Sequence, residues 1–95
     1  MNEAMRQGWQ KFLSLCQEGE STQQLDELFN LFFTIEEKET LAMRILLVKE
    51  LLKGAKTQRE IAQDLNISIA KITRGSNALK TTSNDLKRFL SGFFS

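Results

Sequence analysis

The stretch Thr57 to Lys80, TQREIAQDLNISIAKITRGSNALK, reads as two short helices joined by a tight turn, the pattern of a helix-turn-helix. Thr57 followed by Glu60 is a capping box: the Thr hydroxyl and the Glu carboxylate each satisfy a backbone N–H at a helix start, so a helix begins near Gln58. Ile61, Ala62 and Leu65 give that helix a narrow apolar stripe, which Leu65-Asn66-Ile67-Ser68 interrupts. Asn66 tolerates the left-handed backbone of a helix exit, and Ser68 can cap the next N-terminus. The second helix starts near Ile69. It turns Ile72 toward a core and leaves Ala70, Lys71, Thr73 and Arg74 outward or flanking, small and polar residues that suit a major groove.

Upstream, Thr34 and Glu37 form a second capping box, which opens a helix running to about Lys53 and stopped by Gly54. At roughly 30 Å it is the longest in the chain. Leu41, Ile45, Val48 and Leu52 make its main stripe, and Leu46, Leu47 and Leu51 widen it. A helix apolar around so much of its circumference is expected to be a central rod, covered from two sides. Before it, a helix over about Asn2 to Gln17 carries Met5, Trp9, Phe12, Leu13 and Cys16 at helical spacing. Another, over about Thr22 to Phe32, presents Leu25, Leu28, Phe29 and Phe32, with Leu31 and Phe33 adding apolar surface. Such stripes are read as core or subunit interface. After the helix-turn-helix, Thr81 to Asn84 is a polar break, and Leu86, Phe89, Leu90 and Phe93 or Phe94 give a last helix an apolar face. With no Pro, five Gly and no strand-like alternation, residues 1–95 are expected to form one all-α domain of six helices.

Seven Phe, one Trp and many Leu and Ile are a heavy apolar load for 95 residues, so part of that surface is expected between the subunits of a homodimer. The formal charge of +1 hides an asymmetry: residues 1–52 hold nine acids and five bases, whereas Lys53, Lys56, Arg59, Lys71, Arg74 and Lys80 face only Glu60 and Asp64 in the stretch to Lys80. A basic patch confined to the helix-turn-helix is the footprint expected on duplex DNA, although charge alone fits a solvated helix face equally well. One cysteine builds no internal disulfide, and without His there is no neutral-pH proton shuttle. Cys16, on the stripe of Trp9 and Phe12, reads as a buried structural thiol in a reduced cytoplasm. No apolar run reaches the roughly 18 residues of a membrane span. No Gly-rich phosphate loop and no cluster of acids suggests an enzyme, a metal or a catalytic residue.

The runs Glu50-Leu51-Leu52-Lys53-Gly54, Gln58-Arg59-Glu60, Ile72-Thr73-Arg74-Gly75-Ser76-Asn77 and Leu79-Lys80 resemble those of the bacterial trp repressors. The likeness runs without gaps from about Asn30 to about Leu90. It implies an interlaced homodimer with a helix-turn-helix reading head, a cytoplasmic repressor of tryptophan biosynthesis or uptake operons that binds double-stranded operator DNA with L-tryptophan as corepressor. By the same resemblance, Arg44 and Arg74 lie on either face of the indole ring, with Arg74 holding the carboxylate. Gly75 and Ala78 lie beside the ligand, and carbonyls near Leu31 and Phe33, with Thr34 close by, receive the ammonium. Guanidinium planes suit both tasks, since they stack on rings and pair bidentately with carboxylates. In helix-turn-helix proteins, the trp repressors among them, the second helix enters the major groove. That puts Ile69, Ala70, Lys71 and Thr73 near base edges, Arg59 on a guanine, and Gln58, Asn77 and Lys80 on phosphates.

Several residues depart from the family pattern. Ala78 stands for a serine, Phe33 for a smaller aliphatic residue, Lys71 for a threonine, Ala62 for a basic residue, and Asn66 and Ser68 for turn glycines. These imply a lower ligand affinity, a different operator preference and a stiffer turn. Two other readings share the same residues: a helix-turn-helix protein that needs no ligand or senses another small molecule, and a helical protein-interaction module whose basic patch is incidental.

Overall fold

A computed structural model describes residues 1–95, which form six helices and no strand: α1 (Glu3–Glu18), α2 (Thr22–Phe32), α3 (Ile35–Lys53), α4 (Gln58–Leu65), α5 (Ile69–Lys80) and α6 (Asn84–Phe94). The backbone groups into two compact units, Met1–Lys38 and Glu39–Ser95.

In the N-terminal unit, side chains cap both helix starts. Asn2 accepts from the Met5 N–H, and Ser21 from the Gln24 N–H. Phe12 on α1 is the hub of a ring cluster. Its centroid lies 5.4 Å from that of Trp9, 5.8 Å from Phe29 and 5.7 Å from Phe33, separations at which offset and edge-to-face ring pairs attract. Lys38 reaches Asp26 at 3.6 Å and also donates to Asn30. Nevertheless, α1 and α2 contain no fully buried residue, and the Cys16 thiol, expected to be buried, is only half so. The Thr34–Glu37 capping box forms at the start of α3, with the Glu37 N–H donating to Thr34 Oγ1 (3.1 Å) and the Thr34 N–H to Glu37 Oε1 (2.9 Å).

The C-terminal unit has a small water-free core: Leu47 of α3, Ile61 of α4 and Ile72 of α5, exposed by 3%, 1% and 0%, with Met43, Leu51, Ala62, Leu65 and Ile67 packed around them. The stripe of α3 that faces this core therefore runs Met43, Leu47, Leu51. It is not the Leu41, Ile45, Val48, Leu52 stripe expected from spacing; Leu41 and Ile45 remain 42% and 46% exposed. A helix apolar all round has no preferred face of its own, so its neighbour selects one. Here the selection is made at Gly75 of α5. A Cβ at that position would stand 2.8 Å from Leu47 Cδ2 and 3.6 Å from Leu51 Cδ1, so only a residue without a side chain lets α5 come this close to α3.

The links that orient α4 are local. Gly54 ends α3 with φ +65°, a left-handed exit. The Thr57–Glu60 capping box is complete, and Asn66 takes φ 54°, ψ 49°, the left-handed conformation expected of it. Lys56, between α3 and α4, bridges Asp64 of α4 at 2.7 Å and Glu50 of α3 at 3.5 Å. On α6, Leu90 and Phe94 are half-buried while Phe89 and Phe93 point to solvent.

Candidate functional site

Two surfaces of the C-terminal unit carry the residues singled out from the sequence. The first is the reading head. Ser68 Oγ accepts from the Lys71 N–H and caps α5, while Ile72 is sealed in the core, which turns the rest of the first two turns outward. Ile69, Ala70, Lys71 and Thr73 are all exposed, as are Gln58 and Arg59 at the start of α4, and Asn77 and Lys80 toward the end of α5. Thr73 Oγ1 donates to the Ile69 carbonyl, which uses its hydroxyl hydrogen within the helix; Lys80 Nζ lies 3.4 Å from Asn77 Oδ1. Arg59 has no ion-pair partner. The basic patch is smaller than a count of charges suggests, because Lys56 is held by Asp64 and Glu50. Those carboxylates, Asp64 first, raise its pKa and occupy the ammonium that a phosphate would need.

The second surface is a cavity of about 460 Å³, large enough for an amino acid with an aromatic side chain. Arg44, Leu47 and Val48 of α3 line one side. Lys71, Arg74, Gly75 and Ala78 of α5 line another, and Leu86 and Leu90 of α6 close it. Positions 71, 74, 75 and 78 recur at three and four residues, so they share one face of α5. Gly75 has a direct part in this, since the close approach it allows brings the α5 wall against Leu47. The cavity thus brings together Arg44, Arg74, Gly75 and Ala78 from the expected ligand set. It also recruits Lys71, which the sequence had assigned to DNA alone; the signal was available in the i, i+3 spacing to Arg74. None of the three cations is in an ion pair, and no acidic residue lines the cavity.

The rest of the expected ligand set belongs to the N-terminal unit. Phe33 closes α2 by donating its N–H to the Phe29 carbonyl at 2.8 Å, and no protein donor reaches the carbonyls of Leu31 or Phe33. Thr34 Oγ1 accepts from the Glu37 N–H, and its hydroxyl also engages the Glu37 carboxyl. None of the three lines the cavity. No group of His, Cys, Asp and Glu is placed to hold a metal ion, and no helix is long and apolar enough to cross a membrane.

A helix-turn-helix whose second helix doubles as the wall of a ligand-sized cationic cavity places the chain in the class of helix-turn-helix regulatory proteins. Comparison with known proteins gives the family. A family model described as Trp repressor protein matches residues 7–93, and the chain belongs to that family. It is 47% identical over 83 residues to a Trp operon repressor homolog of Chlamydia trachomatis serovar D, covering 87% of this chain and 88% of that protein. It is 47% identical over 88 residues to one of Chlamydia caviae (93% and 87%) and 43% identical over 82 residues to one of Vibrio cholerae (86% and 80%). The family is regulatory rather than enzymatic, and the chain is a transcriptional repressor.

Proposed function

We propose that this repressor acts as a homodimer on double-stranded operator DNA in the cytoplasm and requires L-tryptophan as corepressor, in control of tryptophan biosynthesis or uptake. The observation that carries the reading is the cavity between α3 and α5, with Arg44 and Arg74 both on its lining and both free of ion pairs. Arg74 takes the ligand carboxylate and Arg44 stacks on the indole ring, with Gly75 and Ala78 beside the ligand. The ammonium is received by the free Leu31 and Phe33 carbonyls, with Thr34 close by. An occupied cavity fixes how α5 lies on α3, and so how Ile69, Ala70, Lys71 and Thr73 meet base edges. Arg59 pairs with a guanine, while Gln58, Asn77 and Lys80 hold phosphates.

The interlaced dimer is supported by apolar surface that one chain leaves open. Leu31, Ile35, Phe89 and Phe93 are each more than two-thirds exposed, and α1 and α2 bury nothing completely. Both units then serve one functional domain spanning residues 1–95.

The test is selection of bound sequences from a random duplex pool with and without L-tryptophan, followed by titration of the enriched duplex at fixed salt. Tryptophan should tighten operator binding, and operator should tighten tryptophan binding by the same factor. Enrichment of the same sequences at the same affinity without ligand would favour the second reading, a repressor that needs none. Ala78 supports that alternative, because it offers a methyl group where a ligand ammonium would seek an acceptor.

A further inference from the structure

We propose that Lys71 is a ligand-binding residue, and that it makes the cavity select its ligand by charge, favouring a carboxylate and disfavouring an ammonium. The inference rests on the corepressor reading above and adds to it a specificity-determining group.

Three cations line the cavity and no acid does, and Lys71 pairs with nothing on the protein. Two of the three have tasks that one aromatic amino acid can supply, a ring face for Arg44 and a carboxylate for Arg74. Lys71 sits one turn before Arg74 on the same face of α5, and its backbone is fixed by the Ser68 cap. A carboxylate has about four lone-pair sites, so an anion held bidentately by Arg74 can still accept from a second donor. A lysine on a flexible stem, with three donors on a point charge, suits that contact. The neighbouring walls are apolar, formed by Leu47, Val48, Leu86 and Leu90, and low polarity strengthens both the attraction for an anion and the repulsion of a cation.

Three indole compounds whose side chains carry a carboxylate alone, both a carboxylate and an ammonium, or an ammonium alone separate the possibilities: indole-3-propionate, L-tryptophan and tryptamine. Each is titrated by calorimetry into the intact protein without DNA, so that any role of Lys71 in groove contact is silent. Lys71→Met keeps the stem and removes the charge. It should weaken indole-3-propionate and L-tryptophan by about fivefold or more, the factor for one charge pair near 4 Å in water, and leave tryptamine unchanged or tighter. The gap between anion and cation should narrow further as salt rises. Lys87→Met removes the same charge from α6 outside the cavity and should leave all three affinities alone.

Equal weakening of all three ligands by Lys71→Met would mean a packing role and overturn the proposal, as would no weakening of any, or the same charge-dependent shift in Lys87→Met. Binding of tryptophan without a charge-dependent effect at Lys71 defeats this inference alone. Failure of every indole compound to bind defeats the corepressor reading with it.

Discussion

The two units of this chain solve the same problem, holding short helices together, by different means. The C-terminal unit excludes water from three aliphatic side chains drawn from three helices, Leu47, Ile61 and Ile72. The N-terminal unit has more aromatic mass yet no side chain fully out of water; its rings touch one another around Phe12 and leave Trp9 and Phe32 about half exposed. Ring contacts add roughly 0.5–1.5 kcal/mol each beyond area, whereas full burial of one aliphatic side chain is worth about 1.5–3 kcal/mol. The difference separates a unit with a fully buried core from one without, and under the proposed function the second is covered by a partner chain.

The largest effect expected is at Ile72. Truncation to Ala opens a cavity in the smallest possible core and should cost about 2–5 kcal/mol, read as a thermal-midpoint drop that does not depend on protein concentration. Gly75→Ala should follow at about 1–3 kcal/mol, because its methyl group meets Leu47. Under the proposed function it should also blunt the tryptophan response, whereas Gly54→Ala should lower stability and leave that response intact. Phe12→Leu should cost about 1 kcal/mol and, unlike Ile72→Ala, its midpoint shift should grow on dilution if a second chain covers α1 and α2. A shift independent of concentration would show the N-terminal unit to be self-sufficient.

Two capping and tethering residues should give the smallest effects, each with its own pH signature. The Thr34 backbone N–H, and then its hydroxyl, hold the Glu37 carboxyl below the usual glutamate range. Its contribution is therefore present above the unfolded pKa and is lost as pH falls through the lower folded value. Glu37→Gln should make the acid limb of the stability profile shallower. Lys56 has the opposite sign: its raised pKa means a contribution present below the ordinary lysine value and lost as pH climbs through the folded one. Lys56→Met should flatten the alkaline limb, and because Asp64 is then uncompensated on α4 it should weaken DNA binding of every sequence alike.

Much of this was legible in the residues. Every helix start is marked by a side chain that caps it, at Asn2, Ser21, Thr34, Thr57, Ser68 and Ser83, because capping is a local transaction between residues three apart. Asn66 was readable for the same reason. What spacing did not reveal depended on partners far along the chain. Leu47 becomes core because Gly75 admits it, Lys56 is neutralised by Glu50 and Asp64, and Lys71 joins a cavity whose other walls come from α3 and α6. Within the ligand set, Arg44 and Arg74 meet at one cavity. Leu31, Phe33 and Thr34 were nominated by resemblance and lie in the other unit; the carbonyls of Leu31 and Phe33 accept from no protein donor, whereas that of Thr34 accepts from the Lys38 N–H at 3.0 Å.

Gly75 also sets a mechanical ratio. From its crossing point on α3 to Ile69 is six residues, a lever arm of about 9 Å at 1.5 Å per residue, so under the proposed function a tilt of about 10° there swings the tip that meets the groove by roughly 1.6 Å. That swing is about half the length of a hydrogen bond, enough to make or lose a base contact. On that reading, the one place where α5 lacks a side chain against α3 also sets how far its tip moves when the cavity fills.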